Sequence, residues 1–225
     1  MEKDTKVIQR WGSVASFVQA AIFLITPIIY FVVLPTATGL AGPDFNDPFK
    51  LRFVLNNPVF DFGDFLLGPL WATSLVISMA GMREYFENIA PRRMQLAVIF
   101  SCLSAALFVT GGVVQTIGRH YISSHPELGY TIFESIFRAL SMIVPGLTSS
   151  GRHLLGWTLV LLGSAGWVTR TLPRILCVLY FIGALLGLFA YLSPGIGELI
   201  LIPGVIWNIW QGILLWRGRS PLHQA

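Results

Sequence analysis

The 225-residue sequence predicts an all-α fold, an integral membrane bundle of six helices with an additional amphipathic surface helix. Three observations carry this. Hydrophobic residues make up 54% of the chain and charged residues 12%, about half the charged share of an ordinary soluble domain. Several uninterrupted apolar runs approach the roughly 20 residues that cross a ~30 Å hydrocarbon core, whereas a membrane barrel would show alternating segments of about ten. Lys and Arg fall in the short connections between these runs, which marks topology. The net charge of +4 therefore points to a lipid bilayer and not to nucleic acid as the partner.

The first span, Val14 to Leu34, follows a polar, basic start and is longer than a secretory signal core, so it reads as a retained helix. The connection after it is rich in Pro, Gly, Asn and Asp, with "FKLRFVL" as a short surface helix. Asp44, Asn46, Asp47 and Asp61 are conceivable calcium ligands, but they match no EF-hand spacing. Asp61 and Asp64 suit the start of the second span, Phe65 to Met82, where carboxylates cap amides and complement the helix dipole. The third span is Met94 to Ile117.

In "YTIFESIFRALSMIVPG", Phe133, Ile136, Phe137, Leu140, Ile143 and Val144 recur at spacings of three and four. Thr131, Glu134, Arg138 and Ser141 gather on another side. The pattern predicts an amphipathic helix over 131–144, ended by Pro145 and Gly146 and too short and polar to span alone. The remaining spans are His153 to Val168, Arg174 to Leu192 and Ile196 to Trp216.

Charge decides between six and seven crossings. With six and a cytoplasmic N-terminus, the inner face collects Lys3, Lys6, Arg10, Arg83, Arg92, Arg93, Arg170, Arg174, Arg217 and Arg219. Lys50, Arg52, Arg119, Arg138 and Arg152 fall outside. A seventh crossing would move the last four inner arginines outside and erase the bias. Trp11, Trp167 and Trp216 stand beside basic inner residues, as an aromatic belt requires. The expected location is the cell membrane, with both termini cytoplasmic.

Small residues mark helix contacts, because membrane helices associate through close packing. Gly183 and Gly187 form a GxxxG pair, Gly204, Asn208 and Gly212 repeat every four residues, and Gly156, Gly163 and Gly166 do similar work. Cys102 and Cys177 lie in apolar runs and predict no disulfide.

The candidate ligand-contacting residues are Glu198, Gln19, Gln115 and Asn208. Glu198, in "SPGIGELILIPG", is an ionisable group beside hydrocarbon that must reach the interface, complement a helix start or pair inside the bundle. Gln19, Gln115 and Asn208 also suit interhelical hydrogen bonding. His120, His125 and His153 fall on the outer side, but their spacing matches no zinc signature or axial haem pair, so no metal ligand is assigned. No nucleotide-binding loop, zinc-protease motif or nucleophile elbow is present to name a catalytic residue, a cofactor or a reaction.

The polar start ending "QRWGSVASFVQAAIFL", the outer loop leading into "VFDFGDFLLGPLWATSLVISMAGM", the hairpin "GWTLVLLGSAGWVTRTLPRILCVLYFIGALLGL" and the tail "GIGELILIPGVIWNIWQGILLWRG" carry a family resemblance. The layout resembles bacterial and archaeal six-span proteins catalogued as domain of unknown function number 4386. The resemblance implies a helical membrane fold, adds weight to Glu198 as a buried or site-forming position, and brings no reaction or cofactor. The chain departs from it between Gly118 and Arg152.

The leading expectation is non-enzymatic: binding of a lipid-like or apolar ligand, or service as a subunit of a membrane assembly with a membrane-protein partner. A small transporter or channel with Glu198, Gln19 and Gln115 along its path is the alternative, and a metal or haem redox protein using the outer histidines is another.

Overall fold

A computed structural model describes residues 2–33, 58–125, 130–192 and 194–218. The short helix "FKLRFVL", the Asp44, Asn46 and Asp47 grouping, and Lys50, Arg52 and Arg219 lie outside the described residues. Among the described residues the fold is all helical, and five helices are long and apolar enough to cross a membrane. The chain is a membrane-spanning helical bundle by length and composition.

Helix α1 runs Glu2–Ile28 and continues as a π turn over Ile29–Val33. Helix α2, Pro58–Phe65, joins α3, Trp71–Phe86, through a second π segment, Leu66–Leu70. Both widened segments include or closely follow a proline, Pro27 and Pro69. A proline removes one backbone donor and crowds the preceding turn, which local widening relieves without ending the helix. Helix α4 covers Pro91–Ser124 and α5 covers Tyr130–Thr169. Helix α6 is Arg174–Leu188, and the last rod consists of α7, Pro194–Glu198, and α8, Leu201–Arg217. Gly218 closes α8 in the left-handed conformation, φ 59°, donating its N–H to Leu215 O at 3.2 Å.

Two sequence expectations are corrected. The amphipathic stretch 131–144 is not a separate surface helix: α5 runs unbroken through Pro145 and Gly146 into the span that the sequence begins at His153. The reason lies in α4, which supports α5 on both sides of the proline. Leu140 packs over Gly118, Thr148 meets Gly111, and Ser104 Oγ donates to Gly151 O at 2.8 Å. The fifth span is also shorter than Arg174 to Leu192, because α6 ends at Leu188 and Phe189–Leu192 form turns.

The rods alternate in direction, and both described ends meet at one face, where Gly218 lies beside Gln9 Oε1. That face carries Arg83, Arg93, Arg170, Arg174 and Arg217 at helix ends. Trp11, Trp167 and Trp216 are exposed there, and the Arg174 guanidinium lies 6.0 Å from the Trp167 ring. Asp61, Asp64, Arg119, Arg152 and Glu198 stand toward the opposite face.

Close helix contacts fall where the glycines stand. Gly12 of α1 and Gly81 of α3 touch backbone to backbone, so a Cβ on either would lie 2.8 Å from the other's Cα. Gly187 of α6 approaches Gly156 of α5 similarly, while Gly204 and Gly212 of α8 accept the Phe23 and Phe17 rings of α1. Cys102 is exposed, Cys177 is buried, and both are free thiols.

Candidate functional site

The interior of the bundle is polar at its centre. Ser13, Ser16 and Gln19 recur every three residues on one side of α1 and are buried. Ser74 and Ser78 stand one turn apart on α3, and Asn208 and Gln211 are three residues apart on α8. Tyr180 of α6 and Thr158 of α5 complete the set, both fully buried.

These groups form a directed chain of hydrogen bonds. The Tyr180 hydroxyl donates to Gln211 Oε1 at 2.6 Å, and Gln211 Nε2 donates to Ser78 Oγ at 2.5 Å and, more weakly, to Ser16 Oγ at 3.3 Å. Ser16 donates to Gly12 O at 2.9 Å, so its single hydroxyl proton is committed there. The 2.7 Å contact between Ser16 and Ser78 therefore takes its proton from Ser78. The chain runs α6 to α8 to α3 to α1, with each hydroxyl proton used once. Ser13 Oγ donates to Gly212 O at 2.6 Å and Gln19 Nε2 to Ser74 O at 3.1 Å, tying α1 to α8 and α3 again. Inside a bilayer such groups must satisfy one another, and doing so fixes which helices meet.

Beside this chain lies a cavity of about 20 Å³. Gln19, Ser78, Thr158, Asn208 and Gln211 give it polar walls, and Phe23, Leu155, Leu159 and Trp207 give it apolar ones. Asn208 Nδ2 and Trp71 Nε1, in residues that line the cavity, have no hydrogen-bond partner among the described protein groups. The side chains here are uncharged amides, hydroxyls and indoles, and the chemistry they offer is hydrogen bonding.

Of the four ligand-contacting candidates, the cavity brings Gln19 and Asn208 together. Gln115 is half-buried on α4 and is not among the cavity-lining residues. Glu198 is exposed at the end of α7, one residue beyond Gly197, where a Cβ would lie 3.1 Å from Arg152 Nη1. The outer histidines stay apart. His120 Nε2 lies 3.5 Å from Asp61 Oδ2, His125 Nδ1 contacts Tyr121 O at 2.8 Å, and His153 Nδ1 contacts Leu188 O at 3.0 Å. Among the described residues no three His, Cys, Asp or Glu side chains are grouped to hold a metal.

Two features were missed from the sequence. The first is the serines at helical spacing, which the sequence reading does not single out: Ser13, Ser16 and Gln19, with Ser74 and Ser78, trace one polar seam. The second is a buried ion cluster: Arg119 of α4 donates to Asp61 Oδ1 at 2.9 Å and to Asp64 Oδ2, which also accepts from Thr116 Oγ1 at 3.3 Å. Asp61 does lie in the first turn of α2, but Asp64 faces an arginine that charge counting assigned only to the outer side.

Compared with protein families, curated proteins and solved structures, the chain has no match.

Proposed function

We propose that the protein is a non-enzymatic, multi-pass membrane protein that serves as a subunit of a membrane assembly, meeting a membrane-protein partner along the outer half of α5. One observation carries this reading. From Tyr130 to Gly151, α5 extends about 30 Å past the level of Arg152, at 1.5 Å per residue. Along this stretch Phe133 is buried against Ile122 of α4, while Ile132, Met142 and Ile143 remain exposed. A lipid-like or apolar ligand is the other form of the same reading. It fits the outer helix faces better than the interior, because a cavity of about 20 Å³ is far below the several hundred Å³ of a typical ligand pocket.

The proposed setting is the cell membrane with both termini cytoplasmic. It is supported by the arginines gathered where Gln9 and Gly218 meet. A C-terminal reporter active only outside the cytoplasm overturns that orientation. The resemblance to domain of unknown function number 4386 is likewise a proposal, resting on the sequence stretches that carry it.

A photo-crosslinking residue at Met142 tests the assembly reading in native membranes. The expected product is a discrete adduct with one membrane protein or a second copy of the chain. Absence of any adduct, together with native mass spectra of the gently extracted protein showing neither partner nor ligand, overturns both forms.

A transporter reading draws support from the polar seam and the two unpaired donors at its cavity. Under it, Glu198→Gln and Gln19→Leu alter solute uptake by reconstituted vesicles, and unchanged uptake removes it.

A further inference from the structure

Asn208 and Trp71 retain 2% and 3% exposure, and each buries a donor, the amide Nδ2 and the indole Nε1, without a partner among the described protein groups. Both residues line the same cavity, on opposing helices α8 and α3. Buried donors in a bilayer are costly unless an acceptor reaches them. A fully apolar cavity of this kind stays dry, but this one also has the Gln19 amide and the Thr158 and Ser78 hydroxyls on its wall. The centres of water-sized molecules have about 20 Å³ available there, which admits water and is far below the several hundred Å³ of a drug-sized ligand's pocket. Every lining residue is uncharged, which disfavours a bare ion.

The geometry points to a binding site for one neutral, hydrogen-bond-accepting molecule of water's size, with a long-lived water as its resident, accepting from Asn208 and Trp71 and joining α8 to α3. The water extends the seam that Tyr180, Gln211, Ser78 and Ser16 begin. It makes Asn208 a ligand-binding residue whose ligand is solvent.

The test uses the full-length protein in nanodiscs with ¹⁵N-labelled tryptophan. The Trp71 signal is assigned as the one of seven indole signals lost in Trp71→Phe. Magnetisation transfer from water should reach the Trp71 indole hydrogen with the sign of a bound water, although that hydrogen exchanges slowly with deuterium. In Asn208→Leu, which fills the cavity and removes a partner, the transfer should fall to background. A wild-type Trp71 indole that receives no transfer, while exposed Trp11 and Trp216 do, overturns the proposal whether or not the variant folds. A high-resolution density map should place a single peak within hydrogen-bonding distance of both donors. A peak that gains anomalous signal when bromide replaces chloride identifies an anion and overturns the neutral assignment.

Discussion

Arg119 of α4 is held by two carboxylates from one face of α2, Asp61 Oδ1 at 2.9 Å and Asp64 Oδ2. The side chains of Arg119 and Asp64 are 7% and 5% exposed, whereas that of Asp61 is 42% exposed. The cluster therefore pins two helices through an ion pair that water barely reaches. Removing one partner leaves the other charge buried, and Arg119→Leu should cost about 3–5 kcal/mol. Asp61→Asn, at a hydrated carboxylate, should cost under about 1 kcal/mol. Replacing Arg119 and Asp64 together with leucine should recover most of the loss. Reversible unfolding in mixed micelles reads all three variants, and equal costs for Arg119→Leu and the double variant would show that the pairing is unimportant.

The central chain of hydrogen bonds should be graded. Tyr180→Phe removes one neutral donor and should cost about 1 kcal/mol, in the range measured for interhelical bonds in membranes. Gln211→Leu leaves the buried Tyr180 hydroxyl without its acceptor and removes the amide donor to Ser16 and Ser78, and should cost about 2 kcal/mol or more. The same unfolding measurement orders the pair. A larger effect for Tyr180→Phe would contradict the directed chain.

Two glycine-to-alanine changes should differ in sign. At Gly81 a new Cβ meets the Gly12 backbone at 2.8 Å, so α1 and α3 must separate and stability should fall by about 1–3 kcal/mol. At Gly146 the Cβ meets nothing within 4 Å, and the better helix propensity of alanine should raise stability by up to about 1 kcal/mol. Comparing their melting temperatures in one detergent decides the matter.

Continuity of α5 predicts a distance. Spin labels at Thr131 and Ser150, both exposed, should lie about 28 Å apart along a single helix axis. A clearly shorter or bimodal distribution from pulsed dipolar spectroscopy would mean that the helix breaks at Pro145.

The bundle was legible in the sequence because hydrocarbon thickness imposes length on apolar runs and because close helix contacts demand glycine. Gly183, Gly187, Gly204 and Gly212 could be read at their helix contacts from spacing alone. Pro145–Gly146 misled for a physical reason: the pair is a strong stop signal locally, and only the continuous support of α4, distant in sequence, overrides it. The site was half visible. Gln19 and Asn208 stand out as amides in apolar runs and line the same cavity, whereas serines carry no such contrast. The Asp61–Asp64–Arg119 cluster joins residues more than fifty positions apart, and nothing local announces that pairing.

Helix α6 has 15 residues and rises about 22 Å, against a hydrocarbon core of ~30 Å. Its outward residues Ile175, Val178, Ile182 and Leu185 face away from the bundle, while α4 and α5 are more than twice as long. The described helices thus differ in length around the bundle, and the exposed apolar residues Phe189, Tyr191 and Leu192 prolong the short α6 edge. In a bilayer, any mismatch left beside α6 should be met by modest local thinning of the lipid, at fractions of a kcal/mol per Å.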